Sequence, residues 1–115
     1  MKQTKVETYT AQIYTGLQVG YSDAIHSIEE VEHICEKYVQ CGLCVTVTQT
    51  KFFYVNGNED GAIIGLINYP RFPSSQLKIK KQALELARIL LNELEQLKVS
   101  VVFPEETIML EKDTK

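Results

Sequence analysis

Several features that mark common protein classes are missing from this sequence. No apolar run approaches the roughly 18–20 residues that cross a bilayer. The first residues, Met1–Lys5, lead into polar positions rather than into the apolar core of a signal peptide. Cysteine is scarce, and an odd count of three favours reduced thiols. We therefore expect a cytoplasmic protein with no membrane partner.

Positive charge is also scarce. The chain has 12 Lys and Arg against 15 Asp and Glu, a net charge of −3 and a pI near 5.4, and its only arginines are Arg71 and Arg88. Proteins that bind extended nucleic acids rely on many Lys and Arg contacts to phosphates. Extended nucleic acid is thus an unsuitable partner, whereas a local pocket for one small anionic ligand is compatible with this composition.

No catalytic or metal-binding motif stands out. Cys41–Cys44 is a lone C-x-x-C, whereas a structural zinc needs four ligands. It also follows a predicted helix end, whereas a redox pair of the thioredoxin type lies at a helix start. His26 and His33 have no nucleophile motif beside them and are expected to be surface histidines. We expect no metal, no cofactor and no catalytic residue, and these observations lean against an enzyme.

The periodicity of apolar residues predicts a β-α-β-β-α-β order within one domain, 1–115. Alternation over Thr8–Leu17 predicts a half-buried strand, and Ser27 with Glu30 forms a capping box at a helix that Gly42 ends. The remaining predicted elements are strands at Leu43–Val55, Ala62–Tyr69 and Val99–Phe103, a helix from Ser74 or Ser75 to about Lys98, and a short extra strand at Thr107–Leu110.

This order predicts the fold class α+β, as a ferredoxin-like βαββαβ two-layer sandwich. Right-handed crossovers would produce an antiparallel four-stranded sheet in the order 2-3-1-4, with two helices on one face. The other face would then be left for water, a ligand or another subunit.

The connection between the third strand and the second helix is the strongest candidate for ligand binding. An arginine flanked by aromatics and prolines leads into a helix N-terminus, and both features favour anions. The candidate ligand-binding residues are Asn68, Tyr69, Arg71, Phe72, Ser74 and Ser75. The alternative is a stiff connection in which Arg71 pairs with an acid such as Glu59.

A run of aromatics suggests an interaction surface. Because strand side chains alternate between faces, the three consecutive aromatics Phe52, Phe53 and Tyr54 cannot all point inward. Together with Tyr14 on the face opposite the helices, they predict a surface for a second copy of the chain or for a protein partner. We expect a homo-oligomer.

The segments Thr50–Tyr54 and Gly65–Pro73 resemble small proteins encoded by bacterial phages. Some compact phage proteins of this size sequester nucleotide immune signals, and others inhibit host defence proteins directly. The ferredoxin-like order also resembles small regulatory domains that bind ligands.

The resemblance and the anion-binding connection favour a non-enzymatic protein that sequesters an anionic nucleotide-type signal. In this interpretation Arg71 neutralises charge, Tyr69 or Phe72 stacks on a base, and the two serines donate hydrogen bonds. One alternative is a protein-interaction module or inhibitor. A second is a small dimeric enzyme that uses His26 or His33 as a base.

Overall fold

In the computed structural model, which describes residues 1–113, the chain forms a five-stranded antiparallel sheet and two α-helices. The strand order is β2-β3-β1-β4-β5. The elements are β1 (Thr10–Gly16), α1 (Ile28–Tyr38), β2 (Thr46–Tyr54), β3 (Gly57–Ile67), α2 (Gln76–Glu93), β4 (Lys98–Val102) and β5 (Thr107–Glu111), with a 3-10 turn at Val39–Cys41.

The prediction of a four-stranded ferredoxin-like sandwich is wrong. After β4 the chain turns, with the Phe103 N–H donating to the Glu106 carbonyl at 2.8 Å, and returns as β5 along the whole of β4. The sheet order therefore gains a fifth strand and is not the ferredoxin-like one. A sheet that ended at β4 would leave backbone groups unpaired at its edge. The Thr107–Leu110 extra strand expected from the sequence supplies their partners, while Ile108 and Leu110 pack against the core.

The core lies between one face of the sheet and α2. The predicted alternation of β1 is confirmed, because its inward positions are buried while Gln12 is exposed and Tyr14 is half-exposed. The buried residues of β1 and of the positions that flank it are Tyr9, Ala11, Ile13, Thr15 and Leu17. The buried stripe of α2 that packs against them includes Ile79, Ala83, Leu86 and Leu90. The opposite face of the sheet carries no helix in the part of the chain that the structure describes, and we call it the open face.

The helix starts follow the sequence, and the end of α2 does not. The Ser27 hydroxyl accepts from the Glu30 N–H at 3.2 Å, and the Ser75 hydroxyl accepts from the Lys78 N–H at 3.1 Å. The prediction that α2 continues to about Lys98 is wrong, since it ends at Glu93. The chain must leave the helix there to enter β4, which begins at Lys98.

Neither α-helix in residues 1–113 is long and apolar enough to cross a membrane.

Candidate functional site

A small hollow lies where the end of β1 meets the beginning of β3. Its volume is about 250 Å³. It is lined by Gln18, Asp23, Ile25, Asn58, Glu59 and Asp60, and we call it the acidic hollow. A larger groove, of about 710 Å³, lies between α1 and α2, but it runs along the outer surface of the helices, far from the open face of the sheet. The acidic hollow, by contrast, takes its lining from β3 and from the loop after β1.

The pairing of β1 with β3 brings the acids to the end of β1. Gly16 is the partner of Gly61, and the Leu17 N–H donates to the Asp60 carbonyl at 3.3 Å. Glu59 lies two residues before Gly61, so its side chain is on the open face, as is the missing side chain of Gly16. The two strands thus place the Glu59 carboxylate beside Gly16.

Gly16 leaves the space in which Glu59 approaches a buried glutamine. A β-carbon at Gly16 would lie 2.9 Å from Gln96 Oε1 and 3.2 Å from Glu59 Oε2. Gln96 is only 7% exposed, and its amide donates to the carbonyls of Gln18 at 2.8 Å and Leu94 at 2.9 Å. Its Oε1 accepts no hydrogen bond from residues 1–113. Gln96 Oε1, an acceptor without a hydrogen-bond partner in these residues, therefore lies beside Gly16 together with the Glu59 carboxylate.

The hollow is electronegative. Three acidic residues contribute to its lining, and of these only Asp60 has an ion-pair partner within the described chain, Lys51, at 3.7 Å between Nζ and Oδ1. Asp23 and Glu59 form no ion pair with any residue from 1 to 113. Over the same residues, no group of three or more His, Cys, Asp or Glu side chains is arranged to hold a metal ion. Acceptors without matching donors suit a ligand that carries positive charge and N–H or O–H groups.

Aromatic side chains border the hollow on the open face. Phe52 is the β2 partner of Glu59, and its ring centroid lies 6.3 Å from that of Tyr14 at a tilt of 48°. The ring also lies against Gly61, which has no side chain to displace it. Aromatic faces attract cations and stack on flat rings. An organic cation with an aromatic part would find both kinds of contact here.

The loop that follows β1 is fixed by hydrogen bonds. Gln18 forms an isolated bridge with Ile25, and the Val19 N–H donates to the Ala24 carbonyl at 2.8 Å. The Gln96 side-chain amide donates a hydrogen bond to the Gln18 carbonyl. Asp23 is thus carried on a closed loop next to the other two acids.

The ligand-binding residues predicted from the sequence lie together, but at the other end of β3. Asn68 donates to the Glu7 carbonyl at 2.9 Å and accepts from the Ser74 N–H at 2.8 Å, so its side chain organises the loop. Ser75 caps α2, and Ser74 Oγ is buried with no partner in residues 1–113. Their role in binding a ligand stays a prediction.

The aromatic members of this predicted site form a tight turn. The Phe72 N–H donates to the Tyr69 carbonyl at 2.9 Å, and the Arg71 guanidinium lies 5.7 Å from the Phe72 ring centroid. Arg71 forms no ion pair with Glu59, because β3 separates the two along its length. The structure therefore does not contain the ion pair between Arg71 and Glu59 that the alternative interpretation predicted.

The predicted interaction surface is divided. Phe53, 77% exposed, and Tyr54, 58% exposed, project from the β2–β3 hairpin, while Phe52 and Tyr14 are half-buried beside the acidic hollow. The expectation that at least one of the three consecutive aromatics is exposed is confirmed. Whether the exposed pair contacts another chain stays a prediction.

Sequence reasoning missed the residues of the hollow. Asp23 and Asp60 lie outside every predicted strand and helix, and Gln96 lies in the last turn of the predicted second helix. A signal existed in Gly16, a glycine at the end of an alternating strand, which often marks a close approach of other groups. The identity of those groups could not be predicted from neighbours in sequence.

No protein-family model matches the chain, and no curated protein matches its sequence significantly. Two solved structures share its fold. A phage SAM lyase in the apo state has a TM-score of 0.77 and 17% identity, over 93% of this chain and 91% of that one. A phage SAM lyase in complex with S-methyl-5′-thioadenosine has a TM-score of 0.74 and 16% identity, over 97% of this chain and 95% of that one. The phage resemblance of the sequence is thus supported at the level of the fold.

These likenesses overturn the predicted function. The solved structures with this fold are those of an enzyme, so the non-enzymatic sequestration of an anionic signal, and the leaning against an enzyme, are wrong. Neither the protein-interaction module nor the enzyme with a histidine base fits the likeness better. The second of these proteins binds a small ligand, S-methyl-5′-thioadenosine.

Proposed function

We propose that this chain is an enzyme that cleaves S-adenosylmethionine and releases S-methyl-5′-thioadenosine, with the acidic hollow as part of its active site. The observation that carries the proposal is the convergence of the Glu59 carboxylate and the unpartnered Gln96 Oε1 over Gly16. The fold shared with phage SAM lyases supports the same reaction.

The product identifies the bond that breaks. The sulfonium sulfur of S-adenosylmethionine carries a methyl, an adenosyl and an aminocarboxypropyl group, and the thioether product keeps the first two. The bond from sulfur to the γ-carbon of the amino-acid chain therefore breaks, and its electron pair stays on sulfur, which becomes neutral. Because a lyase adds no water, the γ-carbon must bond to the substrate's own carboxylate, closing a lactone, or the chain must lose a β-proton, forming an alkene.

The charge change during the reaction indicates where the acids should act. The sulfonium loses its positive charge as the bond breaks, so a carboxylate beside sulfur would stabilise the substrate more than the transition state. The α-ammonium keeps its charge throughout. We therefore assign Glu59 and Gln96 Oε1 to the ammonium group, where they hold the amino-acid chain in a folded conformation without opposing the loss of charge at sulfur.

The aromatic border suits the other end of the substrate. The rings of Phe52 and Tyr14 offer faces on which an adenine can stack or against which a sulfonium can lie. The predicted interaction residues of the open face thus contribute to the proposed site.

A single chain supplies only part of this site. A hollow of about 250 Å³ is smaller than the roughly 300–1,000 Å³ of typical ligand pockets, and Glu59, which lines it, lies on the open face of the sheet. We infer that a second copy of the chain covers the open face and completes the pocket. Tyr54, which follows Phe52 by two residues and shares its face, is the exposed residue of the protruding hairpin that would contact it, whereas Phe53 points to the opposite face.

The direct test is to incubate the purified protein with S-adenosylmethionine and to measure S-methyl-5′-thioadenosine and the amino-acid product by chromatography and mass spectrometry. Glu59→Gln removes a charge-assisted hydrogen bond of about 1.5–3 kcal/mol, so kcat/KM should fall about 10- to 150-fold. Glu36→Gln, an exposed acid on α1, is the control that should leave the rate unchanged. A wild-type protein that releases no thioether would refute the proposal.

Self-association needs its own measurement. Light scattering after size exclusion should give a mass of two or more chains, and Tyr54→Ser should reduce both the mass and the activity, with Phe53→Ser, on the opposite face of the same strand, as the control. A wild type that is monomeric at assay concentrations and fully active would refute the shared pocket while leaving the reaction intact.

A further inference from the structure

His26 connects the two helices on the side of the acidic hollow. Its side chain is 16% exposed, its Nδ1 contacts Glu30 Oε2, and its Nε2 lies 3.1 Å from Glu95 Oε1. Carboxylates only accept, so satisfying both contacts requires an N–H on each ring nitrogen, which is the protonated imidazole. His26 thus links the first turn of α1 to the residues after α2 with a positive charge.

Glu95 occupies a backbone position that is unusual for its residue type. Its φ is +54°, and the Gln96 N–H donates back to the Leu91 carbonyl at 2.9 Å, as at helix ends where glycine is the usual residue. A side chain in this left-handed conformation is disfavoured. The contact with His26 is an interaction that a glycine could not make, and it fixes the residue immediately before Gln96.

His26 also contacts the other side of the hollow. Its backbone N–H donates to the Leu17 carbonyl at 2.8 Å, directly after Gly16. The loop between Leu17 and His26 carries Gln18 and Asp23, two residues that line the hollow. One residue is therefore bonded through its backbone to the loop and through its ring to the turn that carries Gln96.

We propose that His26 is a positioning residue for the acidic hollow, where its imidazolium ties Glu30 to Glu95 and so holds Gln96 Oε1 and the loop after β1 in place for the ligand. The proposal rests on the proposed function and adds a pH-dependent control to the same site. His26 touches no substrate atom in this assignment, and it acts through Glu95 and Gln96.

The charges around His26 determine the direction of the pH dependence. The hydrogen bond that the His26 ring donates to Glu30 raises the pKa of His26 above its ordinary value of 6.5, against the effect of burial, and Glu95 adds to the rise. Beyond Glu30, the groove between the helices is lined by two further acids, Glu29 and Glu93, by Lys37 and by His33, the second histidine, which forms no ion pair in residues 1–113. Because the folded-state pKa is raised, the link is complete below pH 6.5 and is lost as the pH rises through that higher pKa.

The experiment measures the binding of the thioether analogue S-adenosylhomocysteine by calorimetry from about pH 6 to about pH 9, together with cleavage of S-adenosylmethionine. This analogue is the probe because it keeps the ammonium group that is assigned to Gln96 Oε1, and the titration of that group is the same for every variant. After correction for that titration, wild-type affinity should fall about tenfold across the raised pKa, whereas His26→Gln should bind with a low and flat profile. His33→Gln, an exposed histidine of α1, is the matched control and should keep the wild-type profile.

Glu95→Gly keeps the test decisive if His26→Gln does not fold. Glycine suits the positive φ, so this variant should melt at or above the wild-type temperature while losing the pH dependence. An unchanged pH profile in Glu95→Gly, or a wild type as flat as His26→Gln, would overturn the inference alone. Absence of both binding and cleavage by the wild type at every pH would overturn the proposed function and the inference with it.

Discussion

The ring of Phe52 lies directly against the backbone of Gly61, so closely that a β-carbon at Gly61 would stand 2.2 Å from Phe52 Cε2. The two residues are diagonal neighbours on the open face, because Phe52 is paired with Glu59. Because Gly61 has no side chain, the Phe52 ring of β2 can lie against β3 beside the acidic hollow. A glycine in a strand otherwise weakens it, and this contact offsets part of that loss.

We predict that Gly61→Ala destabilises the fold by about 1–3 kcal/mol. The new β-carbon would also lie 2.7 Å from the Thr15 carbonyl oxygen. This oxygen belongs to the backbone, so it cannot rotate away as a side chain can. Gly65→Ala is the matched control in the same strand, since its β-carbon would meet only the Thr46 hydroxyl, on an exposed side chain that can rotate. Chemical denaturation should show a clear loss for the first variant and a smaller one for the second. Equal losses of stability in the two variants would contradict the close contact between the Phe52 ring and Gly61.

Gly16→Ala should separate activity from stability. Its β-carbon would meet the ends of two side chains, Gln96 and Glu59, which can shift at little cost to the fold but not without disturbing the hollow. We expect kcat/KM for S-adenosylmethionine to fall about tenfold or more, with a melting temperature within a few degrees of wild type. Gly65→Ala serves again as the control. Full activity in Gly16→Ala would argue against an active site in the hollow.

Two adjacent serines should respond in opposite ways to the same substitution. Ser75→Ala removes the cap of α2 and should cost about 1 kcal/mol of the free energy of unfolding. Ser74→Ala removes a buried hydroxyl that has no partner in residues 1–113, so it should be neutral or stabilising. Thermal melting of both variants distinguishes them. A loss in Ser74→Ala as large as that in Ser75→Ala would mean that this hydroxyl is bonded in solution.

The three thiols should differ in reactivity. Burial, with a smaller contribution from Glu32, raises the pKa of Cys35 to about 11, and the residue is 3% exposed, whereas Cys41 and Cys44 are exposed. A thiol reagent near neutral pH should therefore label two cysteines in the native protein and the third only on unfolding. Labelling of Cys35 at the rate of the other two would show that α1 opens readily from the sheet.

Elements with strong local signals could be predicted from the sequence. The alternation of β1, the Ser27 cap and the Ser75 cap of α2 depend on residues within a few positions of each other, and the structure has them where the sequence indicated. The early end of α2 could not be predicted in this way. Leu94 and Leu97 continue the helical pattern, but the chain turns at Glu95 because it must enter β4.

The sequence by itself determined which residues are inward and where the helices begin, because side-chain periodicity and capping act over one or two turns of chain. Only the tertiary structure decided the fifth strand and the acidic hollow. Gly16, Glu59 and Gln96 lie on three separate segments, and they meet because β1 pairs with β3 in one register and the turn after α2 returns beneath β1. Strand register and chain return are long-range properties, so a site that depends on them has no local pattern to reveal it.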